Sequence, residues 1–597
     1  MLPYLQEVQN ASKKYSVMFR GINYGEGTQD GEFAETYNLS TDKYPCITQR
    51  AARINAGQHE NPSTLHSKGE LLVIKGTKVY YGDKEVGDVT EGKKHTATVG
   101  NYIVIFPDKK YYKVPTEDEE GKFGNMEETI TVTGLSFTSS TISTEIKYKA
   151  TGLIFDDNEF CTASGHFIET RGADFPFKAG DAVTITGCSK SENNKETEVV
   201  IKEVVEKRLV FEDALFVHIN DEPNEVTITR RPKQEFSFEK GDAVTITGCS
   251  KSENNKETEV VIRTATADTL TFDDNLFTET IEVGEITIKR TVPDLDFICE
   301  NNYRLWGTHG NTIYSSKYSS PCNFKVFEGL ASDSYAIEVG SEGEFTGCIP
   351  YSSHICFFKE NTVHKLYGTK PSNFQITTAN IYGVQKGSER SMQIVNEQLL
   401  YKGVGGVYSY TGGVPELISE KFGNRRYLDA VACCDGEKYY ISMKQGDTWN
   451  MFTYDVLKNI WLREDDTQAV DMTFHNGKVY YIDASGGLYY IDKEAERDDI
   501  EWGATFCTMH ETMNERKGYS KFHLRMDLSA GAWLAVDVKT DNDTQWQQVY
   551  TTHNEKAKTV SVPIIPTRCD SIDIRLRGKG KCTVKTFIRE FSVGSDV

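Results

Sequence analysis

Seven times along this chain a short run of β-branched and aromatic residues meets a tight polar turn and is answered by a second such run. Residues 71–82 read LLVIKGTKVYYG, and 102–114 read YIVIFPDKKYYKV. The pattern resumes at 303–314 (YRLWGTHGNTIY), 354–367 (HICFFKENTVHKLY) and 398–410 (QLLYKGVGGVYSY). It continues at 438–455, which opens KYYIS and closes MFTYD, and at 478–491 (KVYYIDASGGLYYI). Uninterrupted hairpins stand roughly 40 to 50 residues apart, the spacing of propeller blades. A stretch of this kind cannot bury its apolar side alone, so the hairpins must pack on one another. Ser320–Phe324 (SPCNF) and Lys370–Phe374 (KPSNF) share Pro and Asn-Phe at a fixed spacing and read as a blade-to-blade turn. Tyr454-Asp455 followed by Trp461 resembles a kelch-type blade ending. Helical periodicity is nearly absent, and the single helix candidate is Gln49 to Ala56. A chain with 31 Tyr, 30 Phe and 48 Gly but 15 Pro suits an all-β fold.

A second pattern interrupts the first. Gly180 to Ile201 reads GDAVTITGCSKSENNKETEVVI, and Gly241 to Ile262 reads the same letter for letter. Phe175 and Phe177 answer Phe236 and Phe238; Phe211 and Phe216 answer Phe272 and Phe277. Thr131-Val-Thr-Gly134, followed by Phe155-Asp-Asp-Asn-Glu-Phe160, reads as a diverged earlier copy. In AVTITG, polar and apolar residues alternate, which gives a strand one wet and one dry face. SENNKET is a polar turn, and EVVI brings the chain back as a strand. Val183, Ile185, Val199 and Ile201 are expected in the core of one copy, and Val244, Ile246, Val260 and Ile262 in that of the other.

These patterns divide the chain into five parts. Residues 1–60 are an extended segment with the first strands, and 61–125 the first part of a β-propeller. Residues 126–292 hold the inserted β-barrel or sandwich repeats, with clear copies at about 175–216 and 236–277. Residues 293–495 complete the propeller. Residues 496–597 alternate cleanly, as in LRMDL at 524–528 and WLAVDV at 533–538, and form a C-terminal β-sandwich that packs on the propeller and is placed to donate its closing strand.

Charge and motifs narrow the function. With 67 basic and 88 acidic side chains the net charge is −21, which argues against a chain whose main task is gripping phosphates. No run approaches the roughly 18 apolar residues of a membrane helix, and the opening residues lack the features of a secretory leader, so the expectation is a protein made in a cytoplasm. Thirteen cysteines occur without CxxC spacing and are expected as buried thiols. No catalytic elbow, phosphate loop, zincin or dinucleotide motif is present, and the twelve His form no ligand pair. The reading is therefore no enzyme, no cofactor and no metal. Two acidic features stand out: Glu117, Asp118, Glu119 and Glu120, and the FDDN-type turns of the repeats. Each is either a solvated loop or a negative wall facing a channel or partner.

Several patches resemble structural proteins of phages and prophages of gut Gram-positive bacteria. They are Phe19-Arg-Gly-Ile-Asn23, Asp30-Gly-Glu32, Asn38-Leu-Ser40, Tyr44-Pro45 and Arg50; Arg304-Leu-Trp-Gly307, Phe327-Glu-Gly-Leu330, Gly343-Glu-Phe-Thr-Gly347 and Phe357-Phe-Lys-Glu360; and Arg568-Cys-Asp570 to Gly580. The GDAVTITG units resemble small β-barrels of tail proteins. Taken together the chain resembles the tail nozzle (tail tubular) proteins of short-tailed phages. That resemblance implies a homohexameric, propeller-bearing ring in the virion tail, assembled in the host bacterial cytoplasm. It implies contacts with adaptor or portal-side proteins and tail fibres, DNA passing without specific binding, and no active-site residues. Glu117 to Glu120 are the candidate acidic lumen. The competing expectations are a module that binds host glycan or a fibre, and an enzyme acting on cell-wall or capsular sugar.

Overall fold

The computed structural model describes residues 11–593, apart from 157–165, 213, 232–234, 496–499, 512–514, 542, 555, 557 and 566–567. The described chain is all-β, with single-turn 3-10 segments as its helical content. Seven four-stranded antiparallel sheets form the blades. Blades 1 and 2 span 62–88 and 95–125; blades 3 to 6 span 297–338, 347–379, 393–417 and 428–465. Blade 7 takes three strands from 469–492 and its fourth, Ala52–Gln58, from near the chain start.

The second strand of a blade explains the apolar runs. Successive side chains point to opposite faces, and in a propeller both faces meet a neighbouring blade. Ile103 and Ile105 of blade 2 pack with Leu72 and Ile74 of blade 1, whereas Val104 and Phe106 pack toward Leu305 of blade 3. Ile355 and Phe357 of blade 4 pack with Trp306 of blade 3, and Phe358 packs with Tyr401 of blade 5. Leu400 then meets Tyr439 of blade 6, and Tyr440 meets Tyr481 of blade 7. Ile482 and Leu488 of blade 7 return to Leu65 and Val73 of blade 1, which closes the circle.

Three local expectations change. Gln49 to Ala56 is extended, not helical. Its alanines favour a helix, but pairing with Gly487–Asp492 and the burial of Arg53 against Glu464 and Asp465, both at 2.6 Å, override propensity. The closing strand accordingly comes from the N-terminal part, not from the C-terminal sandwich. The Asn-Phe turns lie inside blades 3 and 4, before their outer strands, rather than between blades. There Phe324 and Phe374 reach back into the core shared with the preceding blade. The blade 6 ending is as read: Tyr454 and Trp461 pair across two strands and stack at 4.6 Å.

The insertion is two units, one nested in the other. The nested unit, 146–230, is built from two four-stranded sheets. The outer unit takes Glu128–Phe137 and Thr141–Ser143 from before it and the strands of 243–290 from after it. The diverged third copy is therefore not a unit. Thr131–Gly134 is the first strand of the outer unit, pairing with Thr280–Arg290, and Phe155 belongs to the nested one; residues 157–160 of that motif lie outside the described residues. The repeated strings share register: Val183 faces Val199 and Ile185 faces Lys195, as Val244 faces Val260 and Ile246 faces Lys256. Val183, Ile185, Ile201, Val244, Ile246 and Ile262 are fully buried, while Val199 and Val260 pack at the edges of their cores.

Both chain ends build the sandwich. Ser12–Ser16, Leu39–Ser40 and Ile47–Gln49 join one sheet, and Gly21–Ile22 and Glu32–Tyr37 join the other. Its core takes in Ile460 and Leu462 from the outer strand of blade 6, so it is fixed to the propeller rim.

Candidate functional site

First strands of neighbouring blades pack against one another, as Pro62–Lys68 does against Ala469–His475 and His95–Val99 against Phe297–Asn301. These strands are therefore innermost and surround the axis. One end of the axis is bridged by Arg390, in the turn that leads into blade 5. Its guanidinium donates to the carbonyls of Ser63 at 3.1 Å, Lys94 at 2.7 Å and Val470 at 3.0 Å, and it faces Asp471 at 3.4 Å. Those partners belong to blades 1 and 7 and to the entry of blade 2, so one side chain ties blade 5 to the opposite wall. Asp471 also accepts from the amides of Leu65 at 2.8 Å and Met472 at 3.0 Å. Burial raises the Asp471 pKa, with Arg390 opposing.

Beside this bridge lies a cavity of about 430 Å³, lined by His66, His95, Thr96, Thr98, Glu300 and Glu389 among others. His66 bonds Thr98 Oγ1 at 2.6 Å through Nε2 and Thr96 Oγ1 at 3.0 Å through Nδ1. Burial, helped by Lys68, lowers its pKa to about 4, so the ring is neutral near pH 7. His95 is likewise lowered by burial to about 4, against the pull of Glu389. Burial raises the Glu389 carboxyl, but Lys93, with which it forms an ion pair, outweighs this and leaves it below the ordinary value. The site thus combines neutral imidazoles with satisfied ion pairs. Among the described residues no group of three or more His, Cys, Asp or Glu is arranged to hold a metal.

Glu117, Asp118, Glu119 and Glu120 are not at the axis. They form the exposed turn between Lys110–Lys113 and Lys122–Asn125, the third and outermost strands of blade 2. The turn is closed by the Thr116 amide donating to the Glu119 carbonyl at 2.9 Å, and the Glu119 carboxylate pairs with Lys113. The FDDN-type turns are partly neutralised: Asp273 pairs with Arg263 at 2.8 Å, and Glu212, its counterpart, with Lys202 at 3.7 Å. Of the twelve described cysteines, ten are buried and all are free thiols. No sequence signal pointed to Arg390, because Ser388-Glu-Arg-Ser391 carries no apolar period and its partners are mostly backbone carbonyls.

No protein-family model matches this chain, and no curated protein matches it. Solved structures that resemble it include Hsv2 of Kluyvelomyces marxianus, at 9% identity over 39% of this chain and 66% of that one, with a TM-score of 0.24. BamB from Moraxella catarrhalis matches at 9% identity over 47% and 83%, with a TM-score of 0.24. An exo-β-1,3-galactanase from Phanerochaete chrysosporium matches at 9% identity over 48% and 92%, with a TM-score of 0.19. Likenesses this weak carry no argument about function.

Proposed function

We propose that the protein is a structural subunit of a short-tailed phage's tail nozzle, one copy of a homohexameric ring through which DNA leaves the virion. The observation that carries the reading is the bridged axis. With Arg390 spanning blades 5, 7 and 1, a duplex has no path through a single copy, so a conduit has to lie between copies. A closed ring meets that need, since head-to-tail contacts that close leave no free end. Six copies carry 6 × −21, or −126, and a negative wall keeps DNA from adhering. The exposed Glu117 to Glu120 turn is the candidate for that wall. Adaptor proteins and fibres would dock on the remaining faces.

Sedimentation velocity and negative-stain microscopy of the purified chain test this. The expected result is a six-fold ring with an opening wide enough for a duplex and little DNA retention at low salt. A monomer at all concentrations up to tens of micromolar, or a ring that holds duplex tightly, overturns it.

A second reading, a face that binds host glycan or a fibre, is favoured by one feature. Tyr303 and Tyr318 are 55% and 48% exposed, with ring centroids 5.8 Å apart. Aromatic faces of this kind stack on sugars and on partner side chains. Glycan-array binding that disappears in Tyr303→Ala with Tyr318→Ala would favour this reading over the ring.

A further inference from the structure

Blade 5 and the loop into blade 6 enclose a pocket of about 260 Å³ whose charge opposes that of the chain. Its floor is the hairpin around Gly405 and Gly406. A Cβ on Gly406 would lie 2.4 Å from Ser419 Oγ and 2.7 Å from Leu417 Cδ1, so only glycine lets the hairpin and the loop close around this space. Lys402 lies in the wall, 1% exposed. Its Nζ donates to Gln385 Oε1 at 2.7 Å and to the Gly403 carbonyl at 2.5 Å, both neutral, and no carboxylate pairs with it among the described residues. Arg425 and Arg426 stand at the mouth, exposed and without an ion pair among the described residues. Arg425 is held in place by the Tyr24 ring, 3.4 Å from its centroid. Among the described residues the sole carboxylate lining the pocket is Glu420.

Tyr427 is 4% exposed and lines the pocket, with its hydroxyl beside Arg425. Burial raises the Tyr427 pKa, and Arg425, a hydrogen-bonding and charged neighbour of that hydroxyl, opposes the rise. A phenolic oxygen that accepts from Arg425 keeps its own proton to donate to a bound anion.

We propose that this pocket binds a small phosphate ester. Three cations against one carboxylate suit a dianion, and paired guanidinium groups match the oxygens of a phosphoryl group. Arg425 and Arg426 hold the phosphoryl oxygens, the Tyr427 hydroxyl supplies a further hydrogen bond, and Lys402 supplies positive field from the wall. Val404, Leu417 and Tyr408 cover a compact organic body. The site does not depend on the ring assembly.

Calorimetric titration of the full chain with ribose 5-phosphate, inorganic phosphate and benzoate tests it. Ribose 5-phosphate is expected to bind saturably and more tightly than inorganic phosphate. Affinity is expected to fall at least tenfold in Arg426→Ala and in Arg425→Ala, both exposed sites whose folding circular dichroism can check. Lys84→Ala, an exposed lysine of blade 1, leaves it unchanged. Equal affinity in Arg426→Ala and wild type, or no saturable binding of either phosphate, overturns the proposal. Benzoate binding as tightly as ribose 5-phosphate overturns the assignment of a phosphoryl group.

Discussion

In the nested unit Asp181 faces Arg230 at 3.9 Å, and Arg230 donates to the carbonyls of Gly134 at 2.6 Å and Thr144 at 3.2 Å, both outside that unit. In the outer unit Asp242 forms an ion pair with Arg290, and Arg290 donates to the carbonyl of Met126 at 3.0 Å, at the end of blade 2. The two arginines occupy matching places, next to Ile228-Thr229 and Ile288-Lys289, which pair with the repeated AVTIT strands. Each unit therefore uses one Asp–Arg pair to grip the body it springs from. The joint was duplicated along with the domain, and the result is a relay from propeller to outer unit to nested unit. The difference lies in how fully the joint is made. In the outer unit a blade adds to the joint: Asn323 of blade 3 donates to Asp242 at 3.0 Å and accepts from the Ala243 amide at 3.1 Å. Both aspartates are buried, at 3% and 4% exposure, so the copies differ in which body each joint meets and not in exposure to water.

The largest test of this comparison is at the arginines. Removing one partner of a buried ion pair costs about 3–5 kcal/mol, because the other charge is stranded. Arg290→Ala leaves Asp242 stranded, whereas Arg230→Ala breaks a longer and weaker contact. Hydrogen exchange of Thr280–Arg290 should accelerate far more in Arg290→Ala than exchange of Val226–Arg230 does in Arg230→Ala. Equal effects would mean that the two joints are equivalent and that blade 3 adds nothing.

Next come the cores, where the copies ought not to differ. Ile185 and Ile246 are both fully buried, amid Val183, Ile201 and Leu209 in one unit and Val244, Ile262 and Leu270 in the other. Truncating either to alanine should cost about 2–4 kcal/mol of local stability, with the two values within about 0.5 kcal/mol. Urea-dependent hydrogen exchange of the two AVTIT strands reads this directly. A clear gap between them would show that the packing diverges despite the shared register.

What the sequence discloses follows from the range of the interactions involved. The repeats were legible because 22 identical residues with the same flanking aromatics leave one register and one dry face. Their nesting was not, because Glu128–Phe137 pairs with Thr280–Arg290 across the whole insertion, and no local pattern encodes so distant a partner. The propeller was legible from second strands that are apolar on both faces. Its closing strand was not, since the helix-favouring alanines of Ala51–Ala56 yield to the distant edge of blade 7. The bridge at Arg390 depends on strands that meet only after the ring closes, and the pocket at Arg425 and Arg426 on how blade 5 packs against the loop that follows it, so composition concealed a basic site within an acidic chain.

The smallest effect isolates the surface alone. Glu198 and Glu259 hold the same place in the two copies. Glu198 is exposed and faces Arg231 at 3.6 Å, whereas Glu259 has a side chain 5% exposed, accepts from Thr291 Oγ1 at 2.9 Å and lies 3.3 Å from Lys325. Burial raises the Glu259 pKa above the ordinary value, and Thr291 and Lys325 only partly offset this. A carboxyl whose folded pKa is raised holds its proton more tightly in the folded state. It therefore favours folding below its unfolded pKa, and that contribution is lost as pH rises through the folded value. Glu259→Gln keeps an acceptor for Thr291 and removes the charge, so at neutral pH it should leave the outer unit as stable as wild type or stabilise it, by up to about 1 kcal/mol. Because wild-type Glu259 regains its favourable protonated form as pH falls, the advantage should shrink below the unfolded carboxyl range. Glu198→Gln should change nothing at either pH. Thermal unfolding of the three proteins at neutral and acid pH decides the matter. A destabilised Glu259→Gln at neutral pH would mean that the ion pair with Lys325 outweighs burial, and that blade 3 holds this copy by charge as well as by the Asn323 contact.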